Sequence, residues 1–91
     1  MTGTGDFGRQ RLAYLEALAA RLPGYGLAAR LIGGDTPVLS VWHPETGRQT
    51  IVFAIPSGEG WTFLWAPGGQ ESADDPGRAA ETIHSTLTRP L

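Results

Sequence analysis

Over residues 50–65 the chain reads T-I-V-F-A-I-P-S-G-E-G-W-T-F-L-W. Two apolar runs rich in β-branched and aromatic residues flank Pro56-Ser57-Gly58-Glu59-Gly60, a pattern that predicts a β-hairpin. Side chains alternate across a strand, so Ile51, Phe53 and Ile55 share one face, as do Trp61, Phe63 and Trp65. Folding the run about Gly58 sets Ile55 opposite Trp61, Phe53 opposite Phe63 and Ile51 opposite Trp65. Cross-strand pairs of this kind contribute roughly 0.2–1 kcal/mol each relative to Ala–Ala, so this hairpin is expected at the heart of the core.

Before the hairpin the period changes. Leu12, Leu15, Leu18, Ala19 and Leu22 recur at three- and four-residue spacing, which predicts a helix over 6–22 with Asp6 as N-cap and Pro23-Gly24 as its stop. Arg9, Arg11, Glu16 and Arg21 then fall mainly on its wet side. Residues 25–32 and 37–43 alternate as strands around the turn Gly33-Gly34-Asp35, and Pro44-Glu45-Thr46-Gly47 leads into the hairpin. Residues 66–74 read as a long connection. Asp75-Pro76 is then an N-cap with Pro in the first helical position. Ala79, Ala80, Ile83 and Leu87 form the apolar stripe of this last helix, and Pro90 closes it. The expected class is α+β: a four-stranded antiparallel meander flanked by an N-terminal and a C-terminal helix, in one domain over 1–91 with residues 1–5 as a loose lead-in.

This αββββα order, with W-x-F-x-W at Trp61, Phe63 and Trp65 and D-D-P-x-x-A-A over 74–80, resembles small actinobacterial proteins of the same pattern. The resemblance implies the fold. It carries no catalytic or binding residue with it.

Composition narrows the class further. Seven arginines are scattered along the chain without a single lysine, and the formal net charge is −2. A nucleic-acid partner is therefore not expected, since phosphate recognition needs a basic stripe. Arginine without lysine, together with high Ala and Gly, points to a GC-rich bacterial genome. There is no cysteine, which removes disulfides and thiolate chemistry and agrees with a reducing cytoplasm. No apolar run approaches the ~20 residues of a membrane span, and the first residues carry neither a basic nor an apolar signal segment. The expected location is the cytoplasm.

Candidate chemistry is sparse. Gly3-Thr4-Gly5-Asp6-Phe7-Gly8 spells G-x-G-x-x-G, but only two residues precede it, so the strand that a dinucleotide site requires is missing. His43 and His84 are the only histidines; a metal would need a third ligand from Glu45, Asp74, Asp75 or Glu81. Ser40, Ser57, Ser72 and Ser85 lack a nucleophile-elbow context. Asp74 and Asp75 fit a helix start better than an acid–base pair. No catalytic residue, metal or cofactor is expected.

The second face of the predicted sheet is more apolar than a wet face should be. Ile32, Trp42, Val52, Ala54 and Leu64 lie there, relieved by Arg30, Ser40 and Thr62. Either one helix covers each face, or both cover the aromatic face and another chain buries the second. The second arrangement makes the protein a non-enzymatic interaction or regulatory module, forming a homodimer or docking a protein partner, with Ile32, Trp42, Val52 and Leu64 as interface residues and Trp42 as anchor. The alternative is a small-ligand binder or enzyme with a pocket beside residues 66–74, lined by Trp61, Trp65 and His84.

Overall fold

A computed structural model describes residues 3–34, 36–58 and 60–88. Helix α1 spans Gly3–Arg21 and passes directly into a 3-10 turn, Leu22–Tyr25, closed by Gly26 at φ 76°. Five strands follow: β1 Ala28–Ile32, β2 Val38–Trp42, β3 Gln49–Ser57, β4 Gly60–Trp65 and β5 Gly69–Ser72. Helix α2, Pro76–Thr88, completes the order. The sheet is an antiparallel meander, β1-β2-β3-β4-β5, with β3 at its centre. Among the described residues no helix is long and apolar enough to cross a membrane.

The α+β class, the antiparallel meander and the two terminal helices agree with the sequence pattern, and the strand count corrects it. β5 lies inside the expected connection. It pairs with β4 from Trp65↔Gly69 to Thr62↔Ser72, after a turn in which Gly68 takes φ 72°. Gly-Gln-Glu-Ser carries no apolar alternation, because an edge strand of four residues needs only backbone hydrogen bonds and one small position. That position is Gly69: a Cβ there would collide with the Trp65 indole, so the missing side chain is the ring's seat.

A second correction concerns the hairpin register. The strands close as Ser57↔Gly60, leaving a two-residue loop with Gly58 at φ 59° at its first position. Two-residue loops match the twist of paired strands and favour glycine at positive φ. The pairing therefore runs Val52↔Trp65, Ala54↔Phe63 and Pro56↔Trp61, one residue away from the expected register. A one-residue slip turns every side chain of a strand to the other face. Val52 and Ala54 thus join Trp61, Phe63 and Trp65 in the core, while Phe53 is 48% and Ile55 37% exposed on the opposite face.

Both helices cover that inner face. α1 lies over β1, β2 and β3, and α2 lies beside it over β5. Leu15, Leu18 and Leu22 are buried as their spacing requires, and so are Ala79, Ala80, Ile83 and Leu87 from α2. Leu12 is exposed instead, and Arg11 turns inward: its Nε donates to the Ala54 carbonyl at 3.0 Å and its guanidinium lies over the Trp61 ring. Trp61 is held further by Tyr14, by the edge of Phe7 and by a hydrogen bond from Nε1 to Gln10 Oε1 of 3.1 Å. The one buried polar side chain among the described residues, Thr50, donates to the Ala66 carbonyl at 2.9 Å.

At the helix ends, α1 already runs through residues 3–6, so Asp6 is not its N-cap and the expected lead-in is helical from Gly3. Met1, Thr2, Pro90 and the loop residues Asp35 and Glu59 lie outside the described residues. Asp75 does cap α2: its Oδ1 accepts the Arg78 amide at 3.0 Å.

Candidate interaction face

With both helices on one side, the other side of the sheet is left to its own side chains. The registers bring Ala28, Arg30 and Ile32 of β1 level with Trp42, Ser40 and Val38 of β2. Ser40 and Trp42 continue to Ile51 and Gln49 of β3, while Phe53 and Ile55 continue to Leu64 and Thr62 of β4. Gln70 and Ser72 of β5 end the outer face. One apolar row therefore crosses four strands as Ile32, Val38, Phe53 and Leu64, with Ile51 and Ile55 on either side of Phe53 along β3. Arg30 is the sole charged side chain of this face among the described residues.

Phe53 is the centre of the row, on the central strand. Two shallow hollows adjoin it, one bordered by Gln49, Ile51, Ala66 and Pro67 and the other by Leu64, Gly68, Gly69 and Gln70. Exposed apolar side chains scattered singly are ordinary, but a contiguous row with an aromatic at its middle has the composition of a contact surface. Of the expected interface residues, Ile32, Trp42 and Leu64 lie on this face. Val52 does not: it is fully buried on the inner face, a consequence of the register. Trp42 stands at the end of β2 between Ala28 and Gln49, away from the centre that was expected for it. The residues missed were Phe53, Ile51 and Ile55, whose β-branched and aromatic character suited a core face equally well.

Of the alternative pocket beside residues 66–74, one shallow hollow borders Trp65, Ala66, Gly68, Gly69 and Gln70, and Trp61 and His84 are not among its lining residues. Trp61 and Trp65 are 7% and 3% exposed, and their rings belong to the core beneath α1 and against Gly69. Trp65 Nε1 is buried without a hydrogen-bond partner among the described residues. His84 of α2 stands in a row of three rings with Tyr25 of the 3-10 turn and His43 of the β2–β3 turn. Its ring stacks on His43 at 6.4 Å and meets Tyr25 at 5.7 Å. The sequence spacing gave no sign of this meeting.

The chemistry of the histidine pair is set by the β2–β3 turn. His43 Nδ1 accepts the amides of Glu45 at 3.2 Å and Thr46 at 3.4 Å. These two contacts engage the Nδ1 lone pair and orient the ring within the turn. Among the described residues no group of three metal-ligating side chains exists. Gly3–Gly8 lies within α1, so the G-x-G-x-x-G letters form no loop at a strand end. Ser72 Oγ accepts the Asp74 amide at 3.2 Å in the approach to α2, and Glu71 meets Arg78 at 3.5 Å.

Compared with known proteins, the chain matches no family model, and no match was found among curated proteins or among solved structures.

Proposed function

We propose that the chain is a non-enzymatic protein-interaction module that works by burying the outer face of its sheet against another protein surface. The observation that supports this reading is the row Ile32–Val38–Phe53–Leu64, uncovered by either helix and centred on a phenylalanine that is about half exposed on the middle strand. Burying apolar surface releases roughly 25 cal/mol per Å², so such a row favours association wherever a complementary surface meets it. Aromatic residues near the middle of a patch are the usual anchors of binding energy, and that role goes to Phe53. A cytoplasmic module of this kind agrees with a cysteine-free chain.

The test is native mass in host extract at native expression. The wild type is expected well above its monomer mass of 9.7 kDa, and Phe53→Asp is expected to fall back to it. A wild type that runs at monomer mass alongside Phe53→Asp overturns the reading.

A further inference from the structure

Resting on that reading, we propose that the occupant of the outer face is a second copy of this chain, packed sheet on sheet about a two-fold axis parallel to β3. Charge is the first argument. The chain has seven basic and nine acidic residues, yet the described outer face holds only Arg30, on edge strand β1. A surface that selects a different partner electrostatically carries a charge pattern for it to complement, whereas an isologous interface must tolerate its own copy. A neutral face meets that condition.

Shape and size agree. Phe53 stands beside two hollows that both lie on its β4 side, so an axis over β3 brings the two Phe53 rings together at the centre of the contact. Five strands at ~4.8 Å spacing and about five residues at ~3.3 Å rise give a flat footprint of roughly 400 Å². The nine residues of β3 extend it, and accessible surface over side-chain relief exceeds its flat projection. That brings the face toward the ~500 Å² per partner at which a specific interface begins, the range of a weak dimer that dissociates on dilution.

Arg30 fixes the direction of the axis. An axis parallel to β3 lays β1 of one copy over β5 of the other, so Ile32 comes level with Gln70 and Arg30, one pair further along β1, lies within side-chain reach of that uncharged edge. An in-plane axis across the strands lays β1 over β1 and gathers both Arg30 side chains at one edge, where like charges repel. Sheets stacked in this way sit ~10 Å apart with strands within about 30° of each other.

The experiment is light scattering on purified protein across a dilution series, with circular dichroism as the check on folding. The wild type is expected at twice 9.7 kDa, relaxing to 9.7 kDa on dilution. Phe53→Asp is expected to keep the wild-type spectrum and to raise the dimer dissociation constant at least about 100-fold, the scale of a central hot spot. Gln70→Glu is expected to tighten the dimer by up to about fivefold through Arg30, an exposed-pair effect. A wild type that is monomeric at every concentration overturns the second copy; if Phe53→Asp still lowers the mass in extract, the interaction reading stands with another protein as occupant. A dimer that survives Phe53→Asp overturns both. A dimer that Phe53→Asp dissociates but Gln70→Glu weakens overturns the parallel axis.

Discussion

Phe53 and Phe63 have the same side chain on neighbouring strands at the middle of the same sheet, and they live in different surroundings. Phe63 pairs with Ala54 on the inner face and is fully buried under the helices. Phe53 pairs with Leu64 on the outer face and keeps 48% of its surface in solvent. The inner face is finished: each large ring has a neighbour, a hydrogen bond or a glycine made to receive it. The outer face has the same kind of residues without a layer above them. An apolar side chain contributes to stability through the layer it is buried against, so the two phenylalanines should fail in different ways when truncated.

The largest difference is expected at Phe63. Phe63→Ala opens a cavity at the centre of the core and should cost about 3–5 kcal/mol in chemical denaturation, enough to unfold a marginal domain of this size. Gly69→Ala comes next, because its Cβ would have to displace the buried Trp65 ring; a loss of about 1–3 kcal/mol is expected, with the near-ultraviolet tryptophan signal altered. Asp75→Ala removes the acceptor of the Arg78 amide and should lower stability by about 1 kcal/mol through fraying of the first turn of α2, visible as faster amide exchange there. The smallest effect belongs to the outer face. Phe53→Ser, measured on dilute protein, should change the unfolding free energy by no more than about 0.5 kcal/mol. A loss at Phe53 as large as that at Phe63 would erase the distinction between the two faces.

The helices were legible in the sequence because each has one apolar stripe and one wet side. Leu15, Leu18 and Leu22 could face only one way, as could Ile83 and Leu87. Leu12 deceived by spacing alone, since Arg11 offers a long apolar stem and a donor for Ala54 and takes the inward place. The hairpin was legible as a hairpin but not in register. Residues 51–55 are all apolar, so either parity gives a plausible core face, and hydrophobic pattern fixes register only where the two faces differ. The decision passed to loop length, a two-residue turn at Gly58, and with it went the assignment of Val52 and Phe53 to opposite sides. β5 left no trace in hydropathy because it is polar and short. The candidate face was therefore anticipated as a face while its centre was misplaced, from Phe53 to Trp42.

The three tryptophans make the layered construction measurable by light. Trp61 lies under the Arg11 guanidinium between α1 and the sheet, Trp65 lies against Gly69 at the last strand, and Trp42 stands half-buried at the border of the open face. Indole emission shifts to the blue and resists aqueous quenchers as water is removed from the ring. Replacing two indoles by phenylalanine at a time would thus give three optically distinct versions of one molecule. The first reports the seating of α1, the second the docking of β5, and the third whatever comes to rest on the face that the helices leave bare.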